Sequence, residues 1–185
     1  MLVLSGPPCS GKSAVGRVLA EDDVPAGRRR VHLEVDDVFA LLMPRSDRNR
    51  ADRMLAYDAA HHLAALMLER GDAVTLECTY ARGEQRRSLV EALAHLPDVP
   101  LWVAELHVPP DEAAGRLALR SQSTDLDDAS VRERAAHFPY SDRALRLDSV
   151  AESPAVLAGR IRAWLRDGPV AVQREAWVQS GRSWD

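Results

Sequence analysis

The sequence is poor in cysteine and almost devoid of lysine. Cys9 and Cys78 are the two cysteines among 185 residues, too few for the disulfide framework of a small secreted domain. Lysine occurs once, at Lys12, although Lys and Arg together number 24. Codon bias towards arginine explains the shortage, but the position that retains lysine is a candidate for a role that a planar guanidinium fills poorly. The low cysteine content favours a reducing compartment, so we expect a cytoplasmic protein.

Long apolar runs and excess positive charge are also lacking. No run approaches the roughly 20 apolar residues that span a bilayer, and we expect neither a signal peptide nor a membrane partner. The net charge of −4 gives no global field that would attract nucleic acid, although a local basic groove stays open as an alternative. The length suits one domain with a sizeable core. The sequence does not indicate an oligomeric state.

Short apolar runs alternate with helical patterns along the chain. Such alternation implies crossover connections and a parallel sheet covered by helices on both faces. We therefore predict an α/β protein with a sheet of about five strands. The predicted strands are 2–5, 31–35, 73–78, 101–108 and 144–147, and the main predicted helices are 12–20, 53–70, 84–96, 110–120 and 154–166.

A glycine-rich segment follows the first predicted strand and opens the first predicted helix. It reads Gly-Pro-Pro-Cys-Ser-Gly-Lys-Ser over residues 6–13 and matches the phosphate-loop pattern GxxxxGK[S/T]. Backbone N–H groups of such a loop form a nest for anions, and the helix adds its positive N-terminal end. We expect a nucleoside triphosphate here, with Lys12 at the β- and γ-phosphates and the Ser13 hydroxyl on Mg²⁺. The predicted nucleotide-binding residues are Gly6, Pro7, Pro8, Cys9, Ser10, Gly11, Lys12, Ser13 and Ala14.

Three carboxylates stand where predicted strands end, which is the edge at which open α/β sheets bind ligands. Asp36 and Asp37 follow the second strand, and Glu77 lies near the end of the third. Phosphoryl transfer needs one carboxylate for the acceptor's proton and another to help hold hydrated Mg²⁺. We predict Asp36 as the base and Glu77 on the metal side. Helix capping for the aspartates and a solvated strand end for Glu77 are the alternatives.

The phosphate loop, the Asp36–Asp37 pair and the run Glu77-Cys78-Thr79-Tyr80 together resemble a kinase family. Its members include polynucleotide 5′-kinases, chloramphenicol phosphotransferase, zeta-type toxin kinases and gluconate kinases. The resemblance covers about residues 1–165 and implies a three-layer P-loop NTPase fold. It implies a kinase domain at 1–167, with a small helical lid at about 116–140 and a C-terminal tail at 168–185.

The resemblance also implies roles for individual residues. Asp36 matches the family's general base, with Asp37 as the fallback. Predicted substrate-binding residues are Asp36, Asp37, Glu77, Thr79, Arg82 and Arg86. Predicted lid arginines that approach the transferring phosphoryl group are Arg116 and Arg120. Solvated helix faces are the alternative for all four of these arginines.

One position departs from the family pattern. Polynucleotide kinases place an arginine three residues after the base, where this chain has Phe39. The difference disfavours a nucleic-acid 5′ end and favours a smaller or more apolar acceptor. Arginines in the segment that follows are a second source of phosphate contacts, with a solvated loop as the alternative; they are Arg45, Arg48, Arg50 and Arg53.

Together these features predict an ATP-dependent phosphotransferase that moves the γ-phosphate to a hydroxyl of a small molecule, with Mg²⁺ as cofactor. GTP is an alternative nucleotide because no motif for the base is present. A polynucleotide 5′-hydroxyl kinase and an ATPase switch without an acceptor are the alternative functions. His61 and His62 are adjacent on a predicted helix and point in different directions, so we interpret them as structural.

Overall fold

The computed structural model describes residues 1–21, 29–119 and 126–183, and within these ranges it has five strands and eight helices. The strands are β1 (Leu2–Ser5), β2 (Arg30–Glu34), β3 (Ala73–Glu77), β4 (Trp102–His107) and β5 (Leu145–Asp148). The helices are α1 (Lys12–Ala20), α2 (Val35–Leu42), α3 (Arg50–Glu69), α4 (Gly83–Ala92), α5 (Pro110–Ala118), α6 (Asp128–Ala136), α7 (Pro154–Arg166) and α8 (Arg174–Gln179).

All five strands are parallel, in the order β2-β3-β1-β4-β5, which confirms the predicted sheet. β1 is central, and every residue in it is buried. Glu77 pairs in register with Leu4 on one side and with Glu34 on the other. The carboxyl ends of β2 and β3 therefore meet beside the loop that leaves β1.

The helices cover both faces of the sheet because side chains of each strand alternate between them. Val3 joins a buried cluster with Ala60 of α3, Leu89 of α4 and Trp177 of α8. Leu2 and Leu4 join a second cluster with residues of α1 and α7, among them Leu19 and Ile161. The phosphate loop is thus held between two packed layers.

The second strand ends one residue earlier than predicted, because Val35 begins α2. Two acidic residues in the first turn of α2, Asp36 and Asp37, stabilise its N-terminus. Glu34 holds the N-cap position and makes no side-chain capping hydrogen bond. Asp36 is therefore not the N-cap residue of α2, and its carboxylate accepts a hydrogen bond from Arg48 instead.

The C-terminal segment packs back on the body. Trp177 of α8 is 2% exposed and lies against Tyr80, with 5.6 Å between ring centroids. Arg174 donates to the carbonyl oxygens of Leu93, Leu96 and Val99, which follow α4. Helix α8 is thereby docked on Tyr80 and on the residues that follow α4. None of the helices in the described ranges is long and apolar enough to cross a membrane.

Candidate active site

The segment of residues 6–13 forms a tight loop between β1 and α1. Gly6 has φ +149° and Gly11 has φ +88°, and a Cβ at Gly6 would lie 2.7 Å from the carbonyl oxygen of Leu106. Both positions therefore need glycine. Cys9 also has a positive φ, of +61°, and is buried. The thiol is packed inwards while the loop backbone surrounds the N-terminus of α1.

Lys12 closes over this loop. Its ammonium donates to the carbonyl oxygens of Gly6 and Pro7 at 3.1 and 3.0 Å. These contacts hold a mobile point charge above the nest of backbone amides. The arrangement suits the predicted contact between Lys12 and the outer phosphates of a nucleotide.

The Ser13 hydroxyl lies between two carboxylates, one predicted and one not. It is 2.7 Å from Oε1 of Glu77 and 2.8 Å from Oε1 of Glu34, and a single hydroxyl proton serves only one of them at a time. Glu77 is buried and its other oxygen is 3.0 Å from Nε2 of His32. Burial and the neighbouring Glu77 raise the pKa of Glu34, although its hydrogen bond to Ser13 opposes this effect.

This cluster fits a magnesium ion. A hydroxyl and two carboxylates are hard oxygen donors, and a cation would relieve the repulsion between Glu34 and Glu77. In the described part of the chain no group of three or more His, Cys, Asp or Glu side chains forms a complete metal site. Magnesium bound to nucleotide needs no such cage, because it takes one or two protein carboxylates together with phosphate and water oxygens.

Asp36 projects from the first turn of α2 and pairs with an arginine of the following loop. Nη2 of Arg48 donates to its Oδ1 at 2.7 Å, and the Asp36 side chain is 66% exposed. The same guanidinium lies over the ring of Phe39, 4.6 Å from the centroid. A cation from the loop therefore stands over the position where the resembling kinases carry an arginine.

One cleft of about 950 Å³ joins these groups. Lys12, Ser13, Glu34, Asp36 and Glu77 all line it. The predicted substrate residues Asp37, Thr79 and Arg82 line it too, as do Arg48, Arg50 and Arg53. The structure thus brings the phosphate loop, the candidate base and most predicted substrate residues to one cavity.

Arg86 is the exception, and its prediction as a substrate-facing residue is wrong. It is 0% exposed, and burial lowers its pKa to about 10. The guanidinium donates to the carbonyl oxygens of Tyr80, Pro139 and Trp177, each at 2.8 Å, and to the hydroxyl of Ser180 at 2.5 Å. Arg86 therefore links the residues after β3, the loop between α6 and β5, and the C-terminal segment.

Arg116 lies beside the phosphate loop but does not line the cleft. Its guanidinium donates to the carbonyl oxygens of Cys9 at 3.3 Å and of Ser149 at 2.8 Å, and to the Ser149 hydroxyl at 3.1 Å. Glu112 holds it from the preceding turn. These contacts locate Arg116 on the β4–β5 side of the loop, away from Asp36 on the β2 side. Arg120 lies outside the described residues.

Several residues in and around the cleft were not predicted from the sequence, and three of them bear on its chemistry. Glu34 lies in the predicted second strand, as the structure confirms, but its contact with Ser13 was not predicted. An acidic residue two positions before Asp36 is a usable signal. His32 alternates with Glu34 along β2 and looked like an ordinary strand residue. Arg182 lines the cleft from the C-terminal segment, and no sequence signal indicated it.

Comparisons with known proteins agree with this architecture. A family model described as AAA domain matches residues 1–140, whereas no curated protein gives a significant match. A sugar kinase from Janibacter sp. HTCC2649 is 20% identical with a TM-score of 0.64, covering 93% of this chain and 98% of that one. The APS kinase of Mycobacterium tuberculosis, solved with AMPPNP and APS, is 18% identical with a TM-score of 0.67, covering 89% and 96%. A gluconokinase from Sinorhizobium meliloti 1021 is 20% identical with a TM-score of 0.58, covering 90% and 95%. The predicted three-layer P-loop NTPase fold is confirmed.

Proposed function

We propose that this chain, which belongs to the AAA-domain family, transfers the γ-phosphate of ATP to a hydroxyl group of a small molecule. The observation that carries the proposal is the single cleft that holds Lys12, Ser13 and Asp36 together. A nucleotide-binding switch needs Lys12 and Ser13 to hold nucleotide and Mg²⁺, whereas a further carboxylate in the same cleft can take the proton of an acceptor hydroxyl. GTP remains the alternative nucleotide.

In the proposed reaction the acceptor oxygen attacks the γ-phosphorus, and the bond to the β-phosphate oxygen breaks to release ADP. Asp36 takes the proton of the acceptor hydroxyl. Lys12 and the amides of residues 6–13 bind the phosphates and oppose the charge that develops on them. Ser13, Glu34 and Glu77 are the residues that would hold Mg²⁺, which neutralises phosphate charge when bound.

The solved structures of like fold support a small-molecule acceptor, since they are described as a sugar kinase, an APS kinase and a gluconokinase. Arg116, bound to Cys9 and Ser149, is proposed to serve the nucleotide side.

The test is transfer of labelled γ-phosphate to a pool of small hydroxyl compounds, run beside a 5′-hydroxyl oligonucleotide. We expect labelled small molecules with the wild type and none with Lys12→Ala. Asp36→Asn should lower kcat by about 10²–10⁴-fold with little change in ATP affinity, and Asp37→Asn is the matched control. Transfer to the oligonucleotide alone would replace the small-molecule acceptor with a nucleic acid. If Asp37→Asn has the larger effect, Asp36 is not the base.

A further inference from the structure

We propose that the acceptor carries a phosphate- or sulfate-like anionic group, and that the C-terminal segment completes its site by presenting Arg182 beside Arg82. This inference rests on the proposed function, because it describes the acceptor of the same cleft. It gives the C-terminal segment, which the sequence left unassigned, a role in substrate recognition.

The backbone of the segment is fixed to the wall of the cleft. The N–H of Arg182 donates to the carbonyl oxygen of Ala81, and the N–H of Gly83 donates to that of Arg182, both at 2.9 Å. Arg82 and Arg182 thereby form a short parallel bridge. Gly181 makes the approach possible, because a Cβ there would lie 2.5 Å from the nitrogen of Gly83.

Buried contacts behind this bridge explain why the segment stays docked. Arg86 donates to the Trp177 carbonyl and to the Ser180 hydroxyl, and the indole of Trp177 is buried. Ser180 is the C-cap residue of α8 and precedes Arg182 by two residues. The buried Arg86 thus holds the C-terminal segment in place. The segment in turn carries Arg182, whose side chain is 39% exposed to the cleft and solvent.

Sheet topology puts Arg82 and Arg182 on the acceptor side of the cleft. Asp36 follows β2, and Arg82 follows β3, and these two strands are neighbours at one side of β1. Arg116 and Ser149 lie on the other side, towards β4 and β5. The phosphates of ATP belong at the phosphate loop after β1. Arg82 donates to the carbonyl oxygen of Ser183, so the cation that the C-terminal segment presents on the acceptor side is chiefly Arg182.

The lining of the cleft is positive although the whole chain carries a net charge of −4. Eight cationic side chains, including Lys12 at the phosphate loop, line it against five carboxylates. Two of the carboxylates, Glu34 and Glu77, are bound to Ser13, and Asp36 is paired with Arg48. Outside the lining, Glu133 lies 3.8 Å from Arg182, and Glu84 pairs with Arg50.

The arginine over Phe39 reinforces this interpretation. Phe39 in the sequence favoured a more apolar acceptor, but the guanidinium of Arg48 covers its ring and restores a cation beside the base. Guanidinium forks bind two oxygens of a phosphate or sulfate at once. Arginines arranged around Asp36 and the β3–α4 loop therefore suit a hydroxyl compound that bears such a group.

The test is calorimetric titration of inorganic sulfate into protein saturated with Mg²⁺ and a nonhydrolysable ATP analogue, so that the phosphate loop is already filled. We expect the wild type to bind sulfate and Arg182→Gln to bind it about fivefold more weakly. Arg166→Gln, which removes an exposed arginine of α7 outside the cleft, should bind it like the wild type. Thermal unfolding of both variants checks that they are folded.

Two results would overturn the inference: no sulfate binding to the nucleotide-loaded wild type, or equal binding by Arg182→Gln and the wild type. Failure of the nucleotide itself to bind would instead remove the proposed function. In that case sulfate binding is measured without nucleotide in Lys12→Ala and in the double variant Lys12→Ala/Arg182→Gln. The phosphate loop then lacks its cation, so a difference between the two variants reports on Arg182.

Discussion

Arg48 and Asp36 form an ion pair at the mouth of the cleft, with 2.7 Å between Nη2 and Oδ1. The arginine comes from the loop between α2 and α3 and has φ +61°, a backbone conformation that costs a non-glycine residue about 1 kcal/mol or more. This backbone conformation brings the guanidinium to Asp36, where it can orient the carboxylate of the candidate base.

Replacement of Arg48 tests that role. We expect Arg48→Gln to lower kcat/KM for the acceptor by about tenfold or more, because both the orientation of Asp36 and a cation beside the acceptor are lost. Steady-state kinetics with varied acceptor measures the effect. Arg45→Gln, which changes an exposed arginine of the same loop, should leave kcat/KM unchanged; an equal loss in both variants would point to the loop and not to the ion pair.

Removing one of the two carboxylates beside Ser13 should make the metal-free protein more stable but should weaken its use of Mg²⁺. The raised pKa of Glu34 means that its contribution to stability is present at low pH and is lost as pH rises through the folded-state pKa. Glu34→Gln should therefore raise the melting temperature at pH 8 in Mg²⁺-free buffer. It should also raise the Mg²⁺ concentration for half-maximal activity by about tenfold or more. Glu91→Gln, at an exposed position of α4, is the control, and an unchanged Mg²⁺ requirement in Glu34→Gln would exclude a metal role.

Buried His61 predicts a pH-dependent stability. Its ring contacts the hydroxyls of Ser88 and Tyr80 at 2.7 and 2.8 Å, and burial lowers its pKa to about 3. In the unfolded chain His61 binds a proton near pH 6.5, whereas in the folded protein it binds one only near pH 3. The free energy of unfolding therefore falls as pH decreases between these two values.

Chemical denaturation at several pH values measures this effect. The free energy of unfolding of the wild type should fall, relative to His61→Gln, by about 1 kcal/mol per pH unit between pH 6 and pH 4. His62→Gln, at the exposed neighbouring position, should follow the wild type. Parallel curves for the wild type and His61→Gln would show that His61 is protonated in the folded protein.

The close approach of Gly181 and Gly83 predicts a steric effect on the C-terminal segment. Gly181→Ala puts a methyl group 2.5 Å from a backbone nitrogen, so we expect a loss of about 1–3 kcal/mol in unfolding free energy and weaker sulfate binding. Gly159→Ala in α7 has open space around its Cβ and should be neutral or stabilising. Hydrogen exchange over residues 174–183 shows whether the segment has loosened, and unchanged protection would contradict the proposed docking.

The sequence predicted those parts of the site that are local in the chain. The phosphate loop is specified within eight residues by glycine positions and one lysine, and the structure has a tight loop between β1 and α1 at these residues. Glu34 was missed because its role depends on the register between β2 and β3, which pairs it with Glu77. Arg86 was misplaced because a helix pattern of low hydrophobicity does not reveal that carbonyls 53 and 91 residues away will cover a guanidinium.

The most direct measurement is ³¹P NMR of the reaction of wild-type protein with Mg²⁺-ATP and a pool of small hydroxyl compounds. The account predicts one new phosphate-ester phosphorus for each ADP formed, and loss of that signal with Asp36→Asn. Formation of ADP with inorganic phosphate as the sole other product, at equal rates with and without the pool, would contradict it.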